Sequence, residues 1–443
     1  MIASAKIPLV AAAGSELAAW LAPVTPEQFV REYWGRKPLF VKGFKEKYAG
    51  FFDGETFGRA LTAPGPYPED FLRASFDRKT AAGTSAMPAL PGELRSTAIR
   101  ASVDQAGPLF DAGATLCVSQ VETRVPALVP FIAAIKRQLG FVGKASFNAY
   151  LSPAGSGFNW HFDGRIASTL QIEGSKIWRF TNQPALAWPR GNGSIRADGT
   201  PQYTDPVHAQ QWEQLAPIDE TDVTEVLLEP GDLLILPAGI WHEACGGSGG
   251  SLALNLSFTP VSYTVLVREL LDAQLAAEPA WRSPAPVLQG SEAGTVDADG
   301  VAAITRELQR AAAALQALSG DSAAVVRLWQ AFVQNPNPGT PLPAGPPASG
   351  TAITPERRLG LRRDGNIHVM QAEAGTQLFV MAGTRGIELS GEAVPFVRRL
   401  LSEGEFTAGD AMTWSGGNAP FAWPDVEDML GRLVREGLIE ERP

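Results

Sequence analysis

The 443-residue chain has four histidines, His161, His208, His242 and His368. A carboxylate follows the first of them two residues later, in Phe158-Asn159-Trp160-His161-Phe162-Asp163. Side chains alternate along a β-strand, so on a strand His161 and Asp163 point the same way. A neutral imidazole and a carboxylate aimed into one cavity are two of the three ligands of a 2-His-1-carboxylate triad. That triad holds Fe(II) and leaves positions open for a cosubstrate and oxygen. The third ligand is expected from a distant strand. His242 fits, because it follows the strand-and-turn stretch Gly231-Asp232-Leu233-Leu234-Ile235-Leu236-Pro237-Ala238-Gly239-Ile240-Trp241. The spacing alone is weak: His-x-Asp arises by chance, and a strand histidine bonded to a carboxylate is often only structural. His208 sits in polar surroundings and reads as a surface residue. His368 reads as a structural residue on a later strand.

A second chemical signal is Lys176. The segment from Ser168 to Phe180 reads as strand, Glu173-Gly174-Ser175 turn, strand. Alternation puts Lys176 on one face with Trp178 and Phe180, and Ile177 with Arg179 on the other. A lysine on an aromatic face needs a partner, since an unpaired buried ammonium is costly. A bound dicarboxylate would supply one.

The elements that must position these groups follow from pattern. Residues 142–262 alternate short strands with Gly/Pro turns, as in an all-β barrel, with loops expected at Gly191–Gln202 and Gly246–Ser251. Upstream, Ser15–Leu21 is a short amphipathic turn or two. Thr25-Pro26-Glu27-Gln28 is a helix start, with threonine as N-cap and proline in the first turn. Leu39–Val41 and Ala114–Ser119 read as strands, Leu128–Leu139 as a helix, and Asp70–Ala82 as a polar loop near the catalytic mouth. After Pro260 the apolar spacing turns helical, through Val265, Leu266, Leu270, Leu271 and Leu275, then Ile304, Leu308 and Leu315, then Val325 to Val333. Asn335–Pro355 is rich in Pro and Gly and reads as a linker. Strands are expected at 360–363, 367–370 and 377–381, and helices at 391–403 and 424–437, the last stopped by Gly437.

The residues Asn148 to Gly157, His161-Phe162-Asp163, Glu173-Gly174-Ser175-Lys176-Ile177-Trp178-Arg179, Gly231-Asp232 through Pro237-Ala238-Gly239 to His242, and Asn255-Leu256-Ser257 together resemble the JmjC-type, cupin-fold 2-oxoglutarate oxygenases. Within them they resemble the ribosomal oxygenases. Phe29 to Leu39 is similar to that family's N-terminal segment. The resemblance covers most of the first 260 residues. It implies an α+β, multidomain chain with a double-stranded β-helix (jelly-roll, cupin) core. The expected domains are 1–262 catalytic, 263–334 helical and dimerising, 335–356 linker, and 357–443 winged-helix-like. An intrachain helical bundle is the alternative reading of the middle segment.

The resemblance also implies Fe(II) on His161, Asp163 and His242, and 2-oxoglutarate with its far carboxylate on Lys176. Thr169, Asn148, Asn255 and Ser257 are expected to assist; ordinary barrel hydrogen bonding is their other reading. Two positions depart from the pattern. Trp160 stands where the family usually has a smaller residue or proline. Lysine stands at 176, where the bacterial arginine hydroxylases tend to carry arginine and the animal histidine hydroxylases lysine.

Composition sets the outer bounds. A formal net charge of −10 disfavours nucleic acid as main ligand and suits a basic protein or peptide. The final expected helix offers only Arg432 and Arg435 against Glu427, Asp428 and Glu436, which also argues against nucleic acid. The cysteines Cys117 and Cys245 make no disulfide framework, so a reducing compartment is expected. The apolar run Ile7–Ala13 is too short to span a bilayer. Taken with what the resemblance implies, the sequence reads as a cytoplasmic, O2-using protein hydroxylase, a homodimer acting on arginine or histidine of a ribosomal or other basic protein. An oxygenase for a dedicated peptide or small molecule, and a non-catalytic metal-binding cupin, are the other readings.

Overall fold

A computed structural model describes residues 15–63, 71–77, 96–195, 200–203, 215–276, 279–282, 298–321, 325, 353–362, 367–372, 377–382, 385–391, 393–415 and 420–442. The chain divides into two compact units, one built around residues up to Pro260 and the other around residues from Val261 onward.

In the first unit the described strands are β1 Leu39–Val41, β2 Leu72–Asp77, β3 Ser96–Arg100, β4 Thr115–Ser119, β5 Gly143–Ser152, β6 Gly157–Phe162, β7 Ile166–Pro184, β8 Gly193–Ile195, β9 Pro201–Tyr203, β10 Val223–Leu228, β11 Leu233–Leu236 and β12 Ile240–Pro260. The main path of the sheet runs β1-β11-β7-β12-β5-β4-β2-β3, with β10, β6, β8 and β9 branching from it. Among the described residues all its pairings are antiparallel.

Two long strands organise this jelly roll. The first half of β7 pairs with β11 and its second half with β10. The first half of β12 pairs with β6 and its second half with β5. Along both halves β7 and β12 pair with each other. The sheet thus folds into two faces joined through the same pair of strands.

This corrects two expectations. Glu173-Gly174-Ser175 is not a turn between strands, and Gly246–Ser251 is not a free loop. Both lie where the long strands bend at one level, and the ladder passes from Gly246↔Lys176 to Ser251↔Gly174. Gly174 has φ +63°, and a Cβ there would lie 2.2 Å from the carbonyl oxygen of Gly250. Only glycine fits a bend packed that closely. The Gly/Ser content that reads as a turn is what lets two strands bend together.

Two further loops are also strands. Leu72–Asp77, inside the stretch read as a polar loop, pairs with both β3 and β4. Leu72, Ala74 and Phe76 enter the core, and Arg73 and Ser75 face the other way, so a charged residue hides the alternation. Residues 193–195 and 201–203 form β8 and β9, which extend the sheet beyond β6. Residues 78–82 and 196–199 lie outside the described residues, as does His208.

The N-terminal helices cover one face. Thr25 caps the helix Pro26–Glu32, its side chain accepting from the Gln28 amide at 3.1 Å. Trp20, Phe29, Phe131, Phe147 and Phe258 are buried in one core with the helix Val129–Leu139. Trp34, Phe141 and Phe258 meet edge to face at 5.1–5.9 Å between centroids. Burying each such ring contributes roughly 1.5–3 kcal/mol.

The second unit begins with the helices Tyr263–Leu275, Pro279–Arg282 and Ala298–Ser319. Its later part has β13 Arg358–Leu361, β14 Ile367–Ala372, β15 Gln377–Ala382, β16 Arg385–Ser390, β17 Glu405–Thr407 and β18 Ile439–Glu441. These form two three-stranded sheets, β17-β13-β18 and β14-β15-β16. The helices Ala393–Glu403 and Trp423–Arg435 share their core through Phe396, Leu400, Leu430 and Leu433. Gly437 (φ +76°) follows the last helix, as its position in the sequence implies. His368 is on β14. Among the described residues no helix is long and apolar enough to cross a membrane.

A candidate metal centre in the jelly roll

His161 lies near the end of β6 and His242 near the start of β12, and the two are direct partners in the ladder. Their imidazole centroids are 4.1 Å apart. Asp163 follows β6 immediately, and its Oδ2 is 3.9 Å from Nε2 of His242. One ligand atom from each of the three falls within 4.8 Å of the others. The backbone fixes this closeness: the Gly239 amide, in the turn before β12, donates to the Asp163 carbonyl at 2.9 Å. Gly239 has φ +84°, which favours glycine at that turn.

Both imidazoles are oriented from behind. Nδ1 of His161 is 2.7 Å from the carbonyl of Asn159, and Nδ1 of His242 is 2.9 Å from that of Ile240. With Nδ1–H donating to each carbonyl, both Nε2 atoms keep their lone pairs for a metal. Burial, then the neighbouring His161, lowers the His242 pKa to about 3, so this ring is neutral near pH 7. Burial pushes the Asp163 carboxyl up, but Arg165, His161, His242 and Arg73 outweigh it and hold the pKa below its ordinary value. A neutral imidazole and an ionised carboxylate are the forms that bind a divalent cation.

The triad opens into a cavity of about 170 Å³. Lys176, Thr169 and Asn255 line it together with the three ligand-type residues. Lys176 is 2% exposed; its Nζ donates to Ser152 Oγ at 3.0 Å and lies 5.8 Å from the Phe158 ring centroid. Among the described residues no carboxylate lies within ion-pair distance of it. Burial lowers its pKa to about 8. Asn255 donates to Thr169 Oγ1 at 3.1 Å and accepts from Ser257 Oγ at 2.8 Å. Asn148 donates to Ser257 Oγ at 3.4 Å and accepts from the Gln120 amide at 3.3 Å. Asn148 and Ser257 are outside the cavity lining and join it through this chain of hydrogen bonds. Trp160 is also outside, packed with Phe162, Ala185 and Trp241 on the opposite face of β6.

Sequence reasoning missed Arg73, Arg165, Tyr150 and Cys117, which also line the cavity. Alternation would have found Arg73 if the segment had been read as a strand. Arg165 stands two residues past Asp163, in step with it.

Comparison with known proteins bears on this site. The JmjC domain family matches residues 130–266, the stretch that holds all three ligand-type residues. Ribosomal oxygenase 1 of Gallus gallus is similar to this chain, 29% identical over 266 residues, which are 59% of this chain and 40% of that protein. YxbC of Bacillus subtilis is 25% identical over 271 residues, covering 60% of this chain and 78% of that one. The chain thus spans less than half of the ribosomal oxygenase it matches. Among solved structures, Escherichia coli YcfD, described as a ribosomal oxygenase in complex with cobalt and 2-oxoglutarate, superposes with a TM-score of 0.54. That match covers 95% of this chain and 99% of YcfD at 15% identity, so it speaks for the shared cupin fold.

Proposed function

We propose that this chain is an Fe(II)- and 2-oxoglutarate-dependent oxygenase that hydroxylates a side chain of a protein, with ribosomal proteins the class its named relatives point to. His161, Asp163 and His242 would hold the metal, and Lys176 the far carboxylate of 2-oxoglutarate. Thr169 and Asn255 would face the cosubstrate directly. Asn148 and Ser257 would hold Asn255 in its rotamer. Bound together, iron, 2-oxoglutarate and O2 supply the oxidising power to insert one oxygen atom into a C–H bond, with succinate and carbon dioxide as co-products.

The observation that carries this reading is Lys176. A buried ammonium without a carboxylate partner is strongly disfavoured unless a ligand completes it. Here it shares one cavity with a preoriented triad, and a dicarboxylate has one end for each. A metal-binding cupin without catalysis would leave the lysine unexplained.

The expected domains, 1–262 catalytic, 263–334 helical, 335–356 linker and 357–443 winged-helix-like, belong to this proposal. So does a cytoplasmic homodimer. Support for the dimer comes from the helices after residue 262, where Tyr263 is 86% and Leu308 66% exposed. Most of 322–352 lies outside the described residues. The acidic final helix supports a protein partner over nucleic acid for the last domain.

The test is incubation of purified protein with Fe(II), 2-oxoglutarate and cell lysate, read by succinate release and by mass spectrometry for proteins that gain one oxygen. Absence of both metal-dependent 2-oxoglutarate binding and turnover would overturn the proposal.

A further inference from the structure

The cavity contains more positive charge than the cosubstrate and metal account for. On the oxygenase reading, the two charges of Fe(II) are met by Asp163 and one carboxylate of 2-oxoglutarate, and Lys176 by the other. Arg73 and Arg165 then remain. Among the described residues Asp163 is the only carboxylate of the lining.

Each guanidinium keeps one buried donor without an acceptor. Arg73 donates to the Cys117 sulfur at 3.6 Å and forms no ion pair among the described residues. Arg165 reaches Asp163 only at 3.8 Å, beyond hydrogen-bond distance. The Nε–H of each is buried without an acceptor. Guanidinium offers five donors in a planar fork. Arg73 and Arg165 are half-buried, Arg165 with 31% of its side chain exposed, so the unmet cost falls on the buried Nε–H of each. Local secondary structure holds both in place: Arg73 by alternation on β2, whose neighbours on either side are buried, and Arg165 by the short segment between Asp163 and β7.

Resting on the oxygenase reading, we propose that the substrate presents an anionic group, a carboxylate foremost, to Arg73 and Arg165, and that a cationic side chain such as arginine is excluded. A carboxylate accepts from guanidinium in bidentate fashion and would fill the idle donors. An arginine substrate would add a third guanidinium to the same cavity, and like charges at such range repel. The inference thus separates the side-chain classes the sequence leaves open, against arginine.

The experiment uses the full chain loaded with Mn(II), which binds like Fe(II) without turnover, and 2-oxoglutarate. The probes are fluorescent Gly/Ala host peptides with Asp, Glu, Asn, His, Lys or Arg at the centre, and the free amino acids aspartate and glutamate as competitors. Anisotropy should rank the Asp or Glu peptide above the Arg peptide by about tenfold or more. The charge reversal Arg73→Glu should erase that ranking, because it neutralises Arg165, and Arg73→Lys should keep it. Arg73→Gln serves if the reversed variant does not fold, and should shrink the preference severalfold, with Arg165 left to supply the remainder. Displacement by free aspartate or glutamate marks a small-molecule carboxylate, and its lack a protein side chain; both uphold the anionic class. Any result without a tenfold advantage of an acidic over the Arg peptide overturns the inference. So does an Arg73→Gln variant whose sole defect is a raised 2-oxoglutarate requirement, since its charge would then serve the cosubstrate. Failure of the wild type to bind 2-oxoglutarate with Mn(II) would instead overturn the oxygenase reading itself.

Discussion

His161 and His242 face each other across the β6–β12 ladder, 81 positions apart in sequence and 4.1 Å apart between ring centroids. The register places both imidazoles on the inner side of the roll, and Asp163 joins them one residue past the strand end. Ligands carried on a prebuilt scaffold contribute little to its core. His161→Ala and His242→Ala should therefore lose bound Fe(II) and turnover while keeping the far-UV circular dichroism of the parent. His208→Ala and His368→Ala should retain both. Metal content after gel filtration decides, and loss of metal from the His208 variant with retention in the His242 variant would show the third ligand to be wrong.

Lys176 is the second point of attack. A charge-assisted contact to a carboxylate where water is excluded is worth a few kcal/mol. Lys176→Ala should raise the 2-oxoglutarate requirement by about two orders of magnitude, at roughly 1.4 kcal/mol per decade. Iron binding without cosubstrate should stay as it was. Lys176→Arg should retain part of the affinity, because either cation meets a carboxylate, although guanidinium is larger and flatter. A titration of the Ala variant that overlays the parent would remove Lys176 from the cosubstrate site.

The same ammonium predicts a pH dependence. Burial lowers its pKa from 10.5 to about 8 in the folded protein. Between those values the unfolded chain binds the proton and the folded one does not, so the ligand-free protein gains stability as pH rises through that window. Below about 8 the cost of the buried charge is fully present. Anionic 2-oxoglutarate favours the protonated form, so its affinity should fall as pH rises above about 8. Thermal melts and 2-oxoglutarate titrations from neutral to alkaline pH should move in opposite directions. Lys176→Met should flatten the titrations and only lessen the change in the melts, because burial also lowers Lys47 and Lys136 to about 8.

Gly157 tests the register. A Cβ there would sit 1.8 Å from the Ala244 carbonyl oxygen on β12. Gly157→Ala must push β6 from β12 just ahead of the two histidines. It should cost about 2–4 kcal/mol of stability, within the range of strained backbone substitutions. It should also weaken Fe(II) binding, although residue 157 bears no ligand. Denaturant melts and metal titration read the two effects separately.

For the second unit, full-length protein should run as a dimer in light scattering. Val301, Ile304 and Leu308 are 51%, 45% and 66% exposed along one helix. Glutamate at both Ile304 and Leu308 should give a monomer that still binds Fe(II). A monomeric parent chain would remove this face from consideration as an interface.

Much of the site could be read without coordinates because its determinants are local. His161-x-Asp163 on a strand fixes a shared face, and Lys176 with Trp178 and Phe180 marks an inward-facing edge by the same two-residue period. The Thr25-Pro26 helix start and the Gly437 stop are likewise set by the backbone preferences of single residues. What the sequence left open depends on how distant segments align. Whether Gly174 and Gly250 make turns or a common bend depends on two strands meeting there, since each looks like a loop alone. Arg73 reads as part of a polar loop until β3 and β4 pair on either side of it. That Arg73 and Arg165 share a cavity with the triad, and that Trp160 does not, follows from the folding of the two faces around β7 and β12. Long-range pairing sets those distances, and no window of sequence contains both partners.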